Sequence, residues 1–102
     1  MLSSRQTEVI FSHRLRIYGR VQGVGFRAFV FREAGTLGVD GWVRNRMDGS
    51  VEALVWGNDA IIDALLVRLE EGPRWGDVDR IDVTVETGGG ERSNGFNIRS
   101  DR

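Results

Sequence analysis

The 102-residue chain has 40% hydrophobic and 28% charged residues, a composition that indicates one globular domain and excludes a disordered or fibrous protein. It has no cysteine, which excludes disulfides, thiolate nucleophiles and cysteine-based metal sites and fits a cytoplasmic location. The net charge of −1 provides no overall field that would attract nucleic acid or a membrane surface, and we expect neither as a partner.

All 14 basic residues are arginines, and the absence of lysine excludes Schiff-base chemistry and a P-loop lysine. Any anion must then be bound by arginine guanidinium groups or by main-chain N–H groups. The single histidine, His13, cannot by itself build a Ser-His-Asp triad or a two-histidine metal site. No cluster of acidic residues and histidine has the spacing of metal ligands, so we expect neither a metal nor another cofactor.

The first half of the chain predicts a strand, a helix and a second strand. Residues 1–12 lack a regular period and are expected to be a flexible leader before a domain over residues 13–102. In RLRIYG, the alternation of residue types places Leu15 and Ile17 on one face of a half-buried strand. Apolar residues at helical spacing then predict a helix over residues 27–37, and VDGWVRNR predicts the second strand.

The second half of the chain predicts two further strands, a helix and a short final strand. The turn sequence MDGS, in which Asp-Gly is a hairpin signal, joins the second strand to a third, SVEALVW. Asn58 or Asp59 is expected to cap a second amphipathic helix. RIDVTVE predicts a fourth strand with Ile81, Val83 and Val85 facing inward, and GFNIR predicts the short final strand.

The element order is therefore β-α-β-β-α-β with a short extra terminal strand. This order predicts an α+β fold, the ferredoxin-like split β-α-β sandwich, in which two helices cover one face of an antiparallel sheet. We expect the first and third strands to lie parallel across the first crossover, and a hairpin to join the second strand to the third.

The segment GRVQGVGFR, residues 19–27, joins the first strand to the first helix and contains three glycines. Closely spaced glycines allow successive N–H groups to turn inward and form an anion-binding nest. The following helix adds its unpaired N–H groups and the positive end of its dipole. Arg27, in the first helical turn, can hold two oxygens of the same anion with its guanidinium group. We therefore predict a phosphate-binding loop.

Two other motifs fit part of this segment. Gly23-x-Gly25-x-x-Ala28 matches the dinucleotide-binding fingerprint, but a hairpin follows it rather than a second strand–helix unit. GVGFRAFVF faintly resembles the RNA-recognition signature, but its aromatic residues fall on a predicted helix, where Phe29 is expected in the core. Both motifs are weaker matches than a phosphate-binding loop.

Two separated segments resemble the signatures of the acylphosphatase family. IYGRVQGVGFR resembles the first signature, and GWVRNRMDGSVEALVWG, residues 41–57, resembles the second. GPRWGDVDRIDV and the closing FNIR are similar to later segments of the family, so the resemblance runs from about Leu15 to Arg99. The fold of that family is the ferredoxin-like sandwich predicted above.

The resemblance implies an enzyme that hydrolyses the carboxyl–phosphate bond of acyl phosphates without a metal. A small-molecule acyl phosphate is the expected partner, inorganic phosphate the product and inhibitor, and a monomer the expected state. By motif position, Arg27 is the phosphate-binding arginine and Asn45 orients the attacking water. The resemblance also implies a main-chain cradle for the phosphate, formed by Gln22, Gly23, Val24, Gly25, Phe26 and Arg27.

These residue types suit that reaction chemically. The leaving carboxylate is stable as an anion, so no general acid is needed, and phosphoryl transfer requires mainly positioning and charge stabilisation. Asn45 cannot act as a base near neutral pH, but its amide can orient a water through both a donor and an acceptor. By default, Arg44 and Arg46 are interpreted as surface charges, and Trp42 and Trp56 as cross-strand packing residues.

Two alternative functions stay open. One is a phosphate- or carbamoyl-phosphate-binding module similar to the first domain of the hydrogenase-maturation carbamoyltransferases. The other is a non-catalytic regulatory domain of ferredoxin-like fold. The end of the chain at Arg102, without zinc-finger motifs, favours a stand-alone enzyme over the first alternative, and the joint presence of Arg27 and Asn45 disfavours the second.

Overall fold

The computed structural model describes residues 11–86, 92 and 94–102. The predicted leader over residues 1–12 lies mostly outside the described residues and stays a prediction; its last two residues, Phe11 and Ser12, begin the first strand. The elements in chain order are β1 (Phe11–Arg20), α1 (Phe26–Leu37), β2 (Asp40–Asn45), β3 (Val51–Gly57), α2 (Asp59–Glu71), β4 (Asp77–Glu86) and β5 (Phe96–Ile98).

The strands form one sheet in the order β4-β1-β3-β2-β5. This confirms the predicted ferredoxin-like arrangement of the first six elements. The expected parallel orientation of β1 and β3 was wrong, because the two strands are neighbours that pair antiparallel, with Leu15 opposite Ala53. The crossover through α1 makes β1 parallel to β2 instead, and β3 returns between them. Strand β5 pairs parallel with β2, so the five-stranded sheet is mixed.

The core lies between the sheet and the two helices. Helix α1 packs on β2 and β5, α2 packs on β3 and β4, and the helices contact each other. The inward faces of β1 and β3 are fully buried, as their alternation predicted. No helix within the described ranges is long and apolar enough to cross a bilayer. The fully buried hydrophobic residues of these two strands are Leu15, Ile17, Val51, Ala53 and Val55.

The opposite face of the sheet holds a buried carboxylate. Glu52 is 4% exposed and accepts hydrogen bonds from Arg14 at 2.6 Å, Arg44 at 2.9 Å and Arg46 at 3.2 Å. Burial raises the pKa of Glu52, but the hydrogen bonds and charges of Arg14 and Arg44 outweigh this and lower it overall. The interpretation of Arg44 and Arg46 as plain surface charges was therefore incomplete, because both neutralise a buried charge.

Trp42 also lies on this face, and it is 7% exposed. The guanidinium groups of Arg44 and Arg99 lie 4.8 Å and 4.7 Å from its ring centroid. Such distances are typical of cation–π contacts. Trp42 thus packs between two arginines in addition to its cross-strand neighbour Leu54.

Strand β4 is an edge strand, and its inward face is only partly covered. Val78 and Ile81 pack against the core, whereas Val83 is 42% exposed and Val85 is 54% exposed. Val83 and Val85 lie opposite the inward-facing Leu15 and His13, as predicted, but both are exposed, because within the described residues only Val78 and Ile81 of this strand pack against the core. Alternation along a strand assigns a face but cannot reveal how far a helix covers that face.

The first of the three loop glycines serves the sheet rather than the loop. Gly19 has a φ of +131°, and the pairing of β1 with β4 shifts register between Tyr18 and Gly19. A Cβ at this position would collide with the carbonyl oxygen of Asp77. Gly19 is therefore required for a β-bulge that redirects the chain into the segment before α1.

Candidate active site

An open cavity of about 250 Å³ lies where the β1–α1 loop meets the end of β2 and the end of β5. Two predicted cradle residues, Gln22 and Val24, do not line it, and Val24 packs partly against the core instead. The lining residues are Val21, Gly23, Gly25, Phe26, Arg27, Ala28, Asn45 and Ile98, of which Val21, Ala28 and Ile98 were not predicted from the sequence.

The loop that borders the cavity depends on two glycines in the left-handed conformation. Gly23 has a φ of +75° and Gly25 a φ of +78°. A Cβ at either position would meet no atom within 4 Å, so the conformation, and not lack of space, favours glycine here. Gly25 is also the N-cap of α1, where its positive φ turns the chain into the helix.

The main-chain N–H groups of residues 23–28 donate no hydrogen bond within the part of the chain that the structure describes. The first helical bond runs from the N–H of Phe29 to the carbonyl of Gly25. In α1 no side chain caps the N-terminus and no acidic residue lies in the first turn. In α2, by contrast, the Asn58 side chain accepts from the Ile61 N–H and Asp59 occupies the first turn.

Arg27 adds a cation to this uncapped helix N-terminus. A positive charge there is unfavourable with respect to the helix dipole, so the arrangement concentrates positive potential beside the cavity. The side chain is 35% exposed, and its Nη1 donates to Oδ1 of Asp101 at 2.8 Å. Arg27 is the only charged residue among those that line the cavity.

Asn45 borders the cavity from the other side, as the last residue of β2. Its main-chain carbonyl accepts from the N–H of Arg102 at 2.9 Å, and it lies opposite Val51 in the β2–β3 register. Its side-chain amide makes no hydrogen bond to another described residue. The amide is therefore available to a bound molecule in the cavity.

Gln22 connects the two sides of the site through its side chain. Its Nε2 donates to the carbonyl oxygens of Arg46 and Ser50, at 2.8 Å each. These carbonyls belong to the hairpin that directly follows Asn45. Sequence reasoning assigned Gln22 a main-chain role in the cradle and missed this contact. The sequence signal for this contact was the Gln22 side chain itself, because it is the only side-chain amide in the loop and its NH₂ group can donate two hydrogen bonds.

The turn of that hairpin is rigidified by Asp48. Its carboxylate accepts from the Ser50 hydroxyl at 2.6 Å, from the Ser50 N–H at 2.9 Å and from Arg16 at 3.1 Å. The hydrogen bonds from Ser50, the hydroxyl first, lower the pKa of Asp48 to about 2. The turn that follows Asn45 therefore carries a fixed negative charge at neutral pH.

Among the residues that the structure describes, no three His, Asp or Glu side chains come together as a metal site would need. The groups that surround the cavity are main-chain N–H donors, one guanidinium and one amide. Together they can bind a tetrahedral anion and orient a water beside it.

The structure is a ferredoxin-like sandwich with a cavity at the N-terminus of α1. Gly25 is the N-cap of that helix, and no side chain caps it. A sequence model of one family, Acylphosphatase, matches residues 13–98. The chain therefore belongs to the acylphosphatase family.

Individual relatives agree with this assignment. The chain is 54% identical to the acylphosphatase of Thiobacillus denitrificans, over 85% of this chain and 94% of that protein. It is also similar to the crystal structure of acylphosphatase from Bacillus subtilis, with a TM-score of 0.82, 37% identity, and coverage of 87% and 98%. The structure of T. kodakarensis HypF matches at 32% identity and a TM-score of 0.77, over 89% of this chain but 12% of that protein.

Proposed function

We propose that this protein hydrolyses acyl phosphates to a carboxylate and inorganic phosphate in the cavity between the β1–α1 loop and β2. The observation that carries the proposal is that one cavity is lined by the Arg27 side chain, by Asn45 and by residues of the loop and the first turn of α1 whose N–H groups are unpaired. The 54% sequence identity with the acylphosphatase of Thiobacillus denitrificans supports the same chemistry.

The phosphoryl group of the substrate would lie against the loop. Main-chain N–H groups at a helix N-terminus bind phosphate oxygens without any side chain, and a guanidinium can hold two further oxygens. These donors also stabilise the negative charge on the equatorial oxygens as the transition state forms. Arg27 and the loop thus supply the charge stabilisation that many phosphoryl-transfer enzymes obtain from a metal.

Asn45 would orient the attacking water through its amide. The water oxygen bonds to phosphorus, the bond from phosphorus to the carboxyl oxygen breaks, and its electron pair leaves with the carboxylate. The leaving carboxylate needs no protonation at neutral pH. The water proton passes to a phosphate oxygen or to the departing carboxyl group, because Asn45 cannot accept it.

The remaining expectations from the sequence belong to the same proposal. Inorganic phosphate, as the product, should compete with the substrate for the loop. A monomeric state and a cytoplasmic location are proposed with it, the latter because a chain without cysteine fits a reducing compartment.

Benzoyl phosphate hydrolysis by the purified chain in excess EDTA tests the proposal. We expect full activity after chelation and competitive inhibition by inorganic phosphate, with no activity in Arg27→Ala. Asp82→Asn is a control for the loss of an exposed ion pair, because among the described residues Asp82 pairs with Arg80 alone, on the edge strand β4. Activity that is lost with EDTA and restored with Mg²⁺ would contradict the proposed roles of Arg27 and the loop.

A further inference from the structure

We infer that Asp101 is a positioning residue that holds the Arg27 guanidinium toward the cavity, an inference that rests on the proposed function. Asp101 and Arg27 are 74 positions apart in the sequence, and their side chains meet at 2.8 Å. Only one carboxylate oxygen and one terminal nitrogen take part. A guanidinium has five N–H donors, so its other edges stay available for a phosphate.

The main chain around Asp101 is anchored to β2 and its hairpin. The N–H of Arg99 donates to the carbonyl of Val43 at 2.8 Å, and the N–H of Arg102 donates to the carbonyl of Asn45 at 2.9 Å. The carbonyl of Arg102 in turn accepts from the N–H of Met47 at 3.0 Å. Asp101 therefore lies on a segment bonded on both sides of Asn45, and its carboxylate is presented from a fixed backbone.

The Asp101 carboxylate contacts Arg27 without lining the cavity. Arg27 and Ile98 line the cavity, but Asp101 does not. A competing anion would occupy the place of the phosphate, between the guanidinium and the loop. The single contact at Nη1 instead restrains the guanidinium and leaves its other N–H groups available to a phosphate.

Orientation and charge act in opposite directions on phosphate affinity. Arginine is among the side chains that lose the most conformational freedom when fixed, so a partner that fixes it in advance favours binding. The negative charge of Asp101 disfavours a second anion nearby, but its side chain is 57% exposed and water and salt screen it. We therefore expect the restraint on Arg27 to outweigh the repulsion.

The test uses the full chain and the variants Asp101→Asn and Asp101→Glu. Binding of inorganic phosphate is measured by NMR titration of the loop amides, and KM and kcat are measured with benzoyl phosphate. Asp82→Asn is again the matched control, because it removes the same charge from an exposed pair with Arg80 at 3.2 Å. A thermal melt of each variant reports on the fold.

In Asp101→Asn we expect the Kd for phosphate and KM to rise together, by roughly threefold to tenfold, with a smaller change in kcat. Asp101→Glu should restore part of the affinity, because it keeps the carboxylate. In the Arg27→Ala background, Asp101→Asn should have no further effect. The control variant should match the wild type, and all variants should melt close to it because exposed pairs contribute little stability.

Two results would overturn the inference. Tighter phosphate binding by Asp101→Asn would mean that the carboxylate competes with phosphate, and unchanged binding would mean that the pair is only a surface contact. Failure of the proposed function is distinguishable. A wild-type chain that binds phosphate but does not hydrolyse benzoyl phosphate would contradict the reaction and still test Asp101.

Discussion

Arg27 is the residue at which the loop, the helix and the C-terminal segment meet. Its backbone belongs to the first turn of α1, its side chain lines the cavity, and its Nη1 contacts Asp101. A planar guanidinium can satisfy a phosphate and a carboxylate at the same time with separate edges. Arg27 could therefore bind the proposed phosphate while it keeps its contact with Asp101.

The first prediction concerns the shape of that cation. Arg27→Lys keeps the charge but replaces the fork of donors by one ammonium group. We expect kcat/KM for benzoyl phosphate to fall by roughly 10²-fold or more, because the ammonium group cannot bind two phosphate oxygens in parallel and contact Asp101 as well. Near wild-type kinetics in Arg27→Lys would contradict the two-edged role of the guanidinium.

The second prediction concerns the hairpin turn and pH. The pKa of Asp48 is lowered from 3.8 to about 2, first by the Ser50 hydroxyl. A carboxyl whose folded pKa is lowered contributes stability that is present above its unfolded pKa and is lost as the pH falls through its folded pKa. We therefore expect this contribution to disappear between about pH 4 and pH 2.

Urea unfolding of the wild type and Asp48→Asn at several values of pH in this range measures the effect. The wild type should lose stability more steeply than Asp48→Asn as the pH falls. Parallel profiles for the two proteins, or an Asp48 carboxyl that titrates near pH 4 by NMR, would contradict the assignment.

The third prediction, at the scale of elements, concerns the contact between the β1–α1 loop and the β2–β3 hairpin. Gln22→Ala removes two hydrogen bonds from the loop to hairpin carbonyls. We expect a loss of about 1–2 kcal/mol in the free energy of unfolding. The value of kcat/KM should fall by about tenfold, because the loop amides and Asn45 lose their fixed relation. Steady-state kinetics and urea unfolding test both, and unchanged kinetics would show that the hairpin does not position the site.

The fourth prediction concerns the outer face of the sheet. Glu52→Gln leaves Arg44 and Arg46 without the carboxylate that neutralises them, whereas Arg14 keeps its ion pair with Glu86. Removing one partner of a buried ion pair costs about 3–5 kcal/mol, and because Arg44 and Arg46 are partly exposed to solvent we expect a loss of about 2–3 kcal/mol in the free energy of unfolding. Chemical denaturation measures it, with Asp82→Asn as the control for an exposed pair. A loss no larger than that of the control would contradict the role of Glu52.

Local patterns predicted the elements because each depends on neighbouring residues. Leu15 and Ile17 are buried on one face of β1, as their alternation predicted. Asn58 caps α2, as its position before the helix predicted. The exposure of Val83 and Val85 depends on the reach of a helix, which no local pattern encodes. The antiparallel pairing of β1 with β3 likewise depends on how the whole sheet is assembled.

At the scale of the whole molecule, the candidate site joins three distant parts of the chain. The loop before α1, the end of β2 and the end of β5 meet at one cavity, and the segment after β5 contacts Arg27 and Asn45 beside it. The resemblance to family signatures located Arg27 and Asn45, which the structure brings to that cavity. Asp101 carried no such signal, and the side chain of Gln22 indicated a donor but not its acceptors, because the partners of both residues are fixed only when the sheet is assembled.

The central claim is that the cavity binds phosphate through Arg27 and the loop while Asn45 acts on the attacking water. Groups that act only in the transition state lower kcat when removed and leave ground-state binding intact. The most direct test is therefore the kinetics of Asn45→Ala with benzoyl phosphate, in the presence and absence of inorganic phosphate. We predict a kcat lower by roughly 10²–10³-fold and a phosphate inhibition constant close to that of the wild type. An unchanged kcat, or an inhibition constant that rises as kcat falls, would contradict the separate roles of the two residues.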